Sequence, residues 1–218
     1  MNTYKRTEEN RIRRGTNRGS YDKKQIFDII NDGFIAQVSF IVDDMAMSLP
    51  MAYGIIDDKL YLHGSKTNRM LLSIISQKRI SISITHLDGL VLAKSGLHHS
   101  VNYRSVSLFG SVKLITDPII KVEAFEQMIN LMIDNRWETL RPITQAEIER
   151  TLVVEFAIEN ASAKIRNTGV VDEVSDADYQ TWAGIIPIKT VALDPVRDVN
   201  NRTTLPEHII NYMSKHGV

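Results

Sequence analysis

The run Leu87–Gly110, LDGLVLAKSGLHHSVNYRSVSLFG, decides how this chain is read. It opens and closes as sheet, with GLVLA on one side and SVSLFG on the other supplying the branched and aromatic residues of strands. Between them lie two histidines, an asparagine, a tyrosine, an arginine and several serines. A buried strand does not carry polar groups at that density, because each needs a partner once water is removed. Such a density where two strands end points to a ligand.

Outward from this block the chain reads as short strands with helices interspersed in no regular order. Asp22 sits at a helix cap with Gln25 three positions on, and Gly33 is the stop, so the first helix is read over 23–32. FIAQVSFIV is a strand, Asp43-Asp44 a turn, and Ser48–Ile56 with Lys59–His63 a hairpin joined at Asp57-Asp58. NRMLLSIISQ is helical, Arg79–Thr85 a strand, and Val106–Ile115 a strand after the opening block. Asp117-Pro118 starts a helix that runs to about Asn135, and Thr144 with Glu147 forms a capping box. Leu152–Ile158 is a strand that Ala163–Arg166 extends, IIPI closes the last strand, and a helix begins at Thr204–Glu207. Strands that outnumber and do not alternate with helices predict a mainly antiparallel barrel over a doubly wound sheet. The expected organisation is a basic arm over 1–20, one barrel domain over 21–200 and a C-terminal helix over 201–218.

Composition narrows the function classes. The 218 residues carry 26 basic and 26 acidic side chains, so no net field draws nucleic acid or an anionic membrane. The basic first eighteen residues are read as a solvated tail over a nucleic-acid arm. With no cysteine there are no disulfides, thiolate metal sites or cysteine nucleophiles, which fits a cytoplasmic protein. No apolar stretch reaches the ~20 residues of a membrane span. Adjacent residues on a strand face opposite sides, so His98-His99 is not read as a chelating pair, and no metal is expected.

KLYLHGSKTNRMLL is a strand entering a Gly-Ser turn and then a helix, whose first free amides attract phosphate. Ser65, Thr67 and Asn68 add neutral donors there, and Lys66 and Arg69 add charge. The glycine-lysine-serine spacing of a P-loop is absent. An ordinary helix cap, with Arg69 solvated, explains the same residues. Lys164 and Arg166 alternate on one strand face, as a receptor for an anion or as a solvated edge.

Taken together, HHSVNYRS at 98–105, YLHGSKTNR at 61–69 and LPMAY at 49–53, with SAKIRNTG, WAGIIPI and DPVRD further on, carry a family resemblance. The chain resembles the flavin-nucleotide-binding branch of the pyridoxamine 5'-phosphate oxidase-like split barrels, which includes the nitroimidazole-resistance flavoproteins. The resemblance implies an α+β fold, mainly β with helices: an antiparallel split barrel of FMN-binding type, acting as a homodimer with FMN sites at the interface. It implies that Arg69 holds the flavin phosphate with His63, Gly64, Ser65 and Thr67. Asn68 stands where the related motif has serine. The backbone of Pro50, Met51, Ala52 and Tyr53 lies along the flavin ring. Tyr103, Arg104 and Ser105 approach the flavin of the neighbouring subunit, with an internal ion pair as the other reading of Arg104, and Trp182 forms an aromatic wall or packs. The tail RDVNNRTTLPEH lacks the arginine-rich signature of the true oxidases. The implied activity is nicotinamide-driven reduction of a small acceptor such as a nitroaromatic or quinone. The alternatives are a non-enzymatic flavin carrier or sensor, then a haem- or deazaflavin-binding barrel.

Overall fold

The computed structural model describes residues 2–217. Asp22 accepts from the Gln25 N–H at 2.8 Å and so caps helix α1 (Lys23–Asn31), which buries Ile26, Ile29 and Ile30. Strands β2 (Ile35–Val42) and β3 (Met45–Ala52) pair antiparallel across Asp43-Asp44, both at positive φ (49° and 62°), the backbone that a two-residue hairpin turn demands. The strand expected over Ser48–Ile56 is in fact two. β3 ends at Ala52, Tyr53 is wholly buried, and β4 (Gly54–Ile56) pairs instead with β5 (Lys59–Ser65) at the far end of the sheet. The Tyr53 hydroxyl enforces the break. It donates between the carbonyls of Ile30, at 2.6 Å, and Gly33, at 2.8 Å, pinning the crossover to the end of α1.

Asn68 caps α2 (Arg69–Gln77), which leads to the three long strands that dominate the molecule: β6 (Arg79–Leu92), β7 (Ser100–Ile115) and β8 (Thr151–Arg166). Both strands of the opening block run on well past the predicted boundaries at Thr85 and Val106. Their polar residues find partners, as described below, so the sheet continues through them. The hydrogen-bonded order is β3-β2-β6-β7-β8-β5-β4, with β1 (Gly19–Ser20) added on β8 and β9 (Gly184–Pro187) on β6. Opposite the bulge that Glu159 makes in β8, a side chain on Gly110 would overlap the Ala157 carbonyl oxygen, so only glycine permits the close approach. The sheet curls until β3 comes against β5, but no ladder closes it, giving the split antiparallel barrel with helices that the sequence predicts.

Val38, Leu60, Leu62, Ile82, Leu108 and Phe156 fill the barrel, covered by Leu71 and Ile74 of α2 and the apolar face of α1. Each such side chain contributes about 1.5–3 kcal/mol when fully buried. A second cluster, Tyr61, Ile115, Ala124, Met128 and Val153, seats α3 (Pro118–Met132) on the outside of β5 and β8. The capping box at Thr144 and Glu147 forms and starts α4 (Gln145–Arg150).

The N-terminal segment is not a solvated tail. Asn10, 2 % exposed, donates to the carbonyls of Lys5 and Ala161, and Tyr4 is buried. Arg11 and Arg13 pair locally with Glu8, and Glu9 reaches Arg79 on β6, so the segment is tied to the sheet. Beyond β8 the chain is a long irregular strap broken by β9, then helix α5 (Glu207–His216). No helix of the described residues is long and apolar enough to cross a membrane.

Candidate functional site

Most of the predicted site residues fall in two places. The first is the turn from β5 into α2. Ser65 Oγ and Thr67 Oγ1 lie 3.0 Å apart and both side chains are outside the core. Thr67 N–H donates to Ser65 Oγ, and Asn68 N–H to the Ser65 carbonyl, closing the turn. Asn68 spends its carbonyl oxygen on the helix cap, accepting from Leu71 N–H at 3.0 Å. The position works as a helix cap, a role asparagine and serine fill equally well, and only the NH2 group of Asn68 remains to donate. Arg69 extends into solvent, 74 % exposed, with one 3.4 Å contact to the still more exposed Asp43. Such a pair is worth about 0–1 kcal/mol, so the guanidinium is effectively free for an anion. A β-carbon on Gly64 would meet Leu71 and Asn68 at 3.0 and 3.1 Å, so glycine lets the turn lie close on the helix.

His63 belongs elsewhere. Its Nδ1 lies 2.9 Å from Met128 Sδ and its ring packs edge-on against Phe125 at 5.4 Å, so it faces α3. Burial pushes its pKa down. Tyr53 is likewise committed, its phenol held protonated by burial and by the nearby Asp32 charge. Pro50, Met51 and Ala52 lie on the terminal strand of the sheet, one of whose edges no other strand covers.

The second place is the end of the β6–β7 hairpin. Arg104 is bidentate to Asp88, with Nε to Oδ2 at 3.0 Å and Nη2 to Oδ1 at 2.8 Å, and Nη1 reaches Asp32 at 2.5 Å. These bonds, to Asp88 first, hold the guanidinium above arginine's ordinary range. Of its two sequence readings, the internal ion pair is the one the structure displays. Ser105 Oγ donates to the Lys164 carbonyl at 3.2 Å, and Tyr103 lies opposite Arg166 in the ladder. Trp182 is 65 % exposed on the strap, its indole lying over Gly184.

His98 and His99 are not on a strand, since β7 begins only at Ser100. Both turn back to one residue: His98 Nδ1 lies 2.9 Å from Ser95 Oγ, and His99 Nδ1 lies 2.9 Å from the Ser95 carbonyl. A carbonyl only accepts, so neutral His99 carries its proton on Nδ1 and presents an unprotonated Nε2 on an exposed side chain. Separately, the strap brings Asp172 and Asp176 to His98, with one ligand atom of each within 4.8 Å of the others. Sequence reasoning missed these acids, Asp88 and Asp32. Asp88 alone lay inside the opening block, and nothing local marked the others as partners.

Residues 22–165 match the family described as pyridoxamine 5'-phosphate oxidase. Among solved structures, the flavocytochrome Anf3 from Azotobacter vinelandii is 30 % identical with a TM-score of 0.88, over 94 % of this chain and 96 % of that one. The FAD and haem binding protein from Mycobacterium smegmatis is 27 % identical with a TM-score of 0.84, over 89 % of this chain and 97 % of that one. No curated protein matches. The split barrel, the Ser65–Arg69 turn and a family match over most of the sequence agree: this chain belongs to the pyridoxamine 5'-phosphate oxidase family.

Proposed function

We propose that the chain is a flavin-nucleotide-binding protein that also takes up haem, and that it passes electrons from a reduced nicotinamide to the haem or to a small acceptor such as a nitroaromatic or quinone. One observation carries this reading. Both relatives just named pair a flavin with haem, and the likeness to them spans 94 % and 89 % of the chain, reaching into the strap beyond the family match at 22–165.

The residues present fit a flavin nucleotide. At the β5–α2 turn the hydroxyls of Ser65 and Thr67, the Arg69 guanidinium and the first two backbone N–H groups of α2 are the donors that would hold a phosphate. The open edge of β3 at Pro50–Ala52 offers main-chain groups to a polar ring edge. His99 fits the haem, because its Nε2 lone pair is exposed while Ser95 fixes the ring through Nδ1. When bound, the flavin supplies two-electron and the haem one-electron chemistry. The protein's own residues bind and orient. A carrier or sensor would use the same cradle, and flavin reduction by a nicotinamide separates the two readings.

The same reading includes a homodimer with its sites at the interface. Its support is the strap, which leaves Val171, Val174, Leu193, Val196 and Val199 between 67 % and 97 % exposed.

The test is the cofactor content of the purified protein, released by denaturation and identified by mass spectrometry. Flavin and haem together are expected, and His99→Ala should lose the haem and keep the flavin. Flavin without haem in the unsubstituted chain would remove the haem half, and neither cofactor after reconstitution would remove the whole.

A further inference from the structure

The outer face of the β7–β8 pair carries positive charge that no feature described so far uses. Residues two apart on a strand share a face, so Lys164 and Arg166 of β8 lie together, opposite Ser105 and Tyr103 of β7. The N-terminal segment adds a third cation. β1 pairs Gly19 with Lys164, and Gly15, at φ 63°, makes the left-handed turn that folds Arg18 back toward Lys164. A β-carbon built on Gly15 would be 3.7 Å from Arg18 Cδ and 3.8 Å from Lys164 Nζ. Among the described residues, none of Arg18, Lys164 and Arg166 forms an ion pair.

Arg166 is the unusual member. It is only 5 % exposed, where the sequence reading allowed a solvated edge. Its Nη1 donates to Asn102 Oδ1 at 2.5 Å and to the Thr168 carbonyl at 3.2 Å, and its Nη2 to the Gly169 carbonyl at 3.3 Å. All three partners are neutral, and the buried Nε has none. A buried cation without a counter-charge is unfavourable, and burial together with the Arg18 charge pushes the Arg166 guanidinium below arginine's ordinary range. Bridging an asparagine to two carbonyls needs donors but no charge. The charge itself is unexplained by the fold.

We propose that Arg18, Lys164 and Arg166, with the hydroxyl of Tyr103, form a subsite for a group bearing at least two negative charges: a pyrophosphate or a pair of carboxylates. The subsite is separate from the Ser65–Arg69 turn within one chain. Ser65 pairs with Thr151 at the start of β8, and Arg166 is its last residue. At about 3.3 Å per residue those ends lie roughly 50 Å apart along the strand. A phosphate held at the turn therefore leaves this subsite for another group, or for one carried by a second copy. The inference does not depend on flavin or haem being bound.

Calorimetric titration of the full-length protein with inorganic pyrophosphate, and separately with malonate, tests it. Binding of at least one probe is expected, with the tighter one revealing whether phosphate or carboxylate is preferred. Lys164→Gln, at a partly exposed position outside the core, should weaken that binding about tenfold or more, and Arg18→Gln should act in the same direction. Arg166→Gln should abolish it; if that variant fails to fold, the other two still decide. Rising salt should weaken binding, as for any charge-driven contact. No binding of either probe at millimolar concentration, or binding unchanged in both Lys164→Gln and Arg18→Gln, would overturn the proposal. Arg69→Ala should leave it intact, so loss of the turn's phosphate and loss of this subsite are read separately.

Discussion

Arg69 and Arg104 are two arginines that the sequence alone assigns to one cofactor, yet their surroundings differ completely. Arg69 has one exposed, long contact, whereas Arg104 is clamped by Asp88 and Asp32. Arg69→Ala should therefore weaken flavin binding by about 1.5–3 kcal/mol, the scale of a charge-assisted hydrogen bond, and leave the melting temperature almost unchanged. Fluorescence titration with flavin alongside a thermal melt reads both, and unchanged affinity would move the phosphate elsewhere. Tyr53 shows the opposite balance, because its hydroxyl serves two carbonyls inside the fold. Tyr53→Phe strips both of that donor, at a cost of about 1–3 kcal/mol. Denaturant unfolding should show this loss with flavin affinity per folded molecule unaltered. A loss of affinity without loss of stability would place the Tyr53 side chain at the ring instead. The residue types at Ser65, Thr67 and Arg69 were legible because their chemistry is local to one turn. The commitment of Arg104 was not, since Asp32 is brought to it from the end of α1, 72 residues away in sequence.

At the scale of elements, the β5–α3 contact makes stability depend on pH. Burial lowers the pKa of His63 from its ordinary 6.5, so the unfolded chain binds this proton more readily than the folded one. The stabilisation from neutral His63 is thus present above about pH 6.5 and is lost as pH falls below that value. Thermal melts between pH 7.5 and 5 should show a declining midpoint that His63→Gln flattens; parallel curves for the two proteins would refute the assignment. Element positions were largely readable, because caps such as Asp22, Asn68 and Thr144 and the alternation of β2 are local signals. The failures share a cause. Ser48–Ile56 reads as one strand because nothing nearby reveals that Tyr53 must reach α1. Strands β6 and β7 were cut short because polar residues were taken as ends, when Asp88, Asn102 and Arg104 satisfy one another or Arg166 across the ladder.

For the whole molecule, the sheet accounts for a barrel, but the strap has no core of its own. Its exposed valines and Trp182 are expected to be covered by a second copy, so light scattering should give twice the chain mass of 24.7 kDa. A monomer at micromolar concentration would contradict this. The barrel was legible because strand count and disorderly helix placement limit the architectures available. The strap was not, since its residues beyond β9 are largely irregular and irregular backbone has no periodicity to read. The central claim, two redox groups on one chain, is tested most directly by visible spectra recorded anaerobically as reduced nicotinamide is added to the reconstituted protein. The account predicts bleaching of the flavin bands and a shift of the haem Soret band to its reduced form. A protein that lacks either flavin or haem absorption after incubation with both would contradict it.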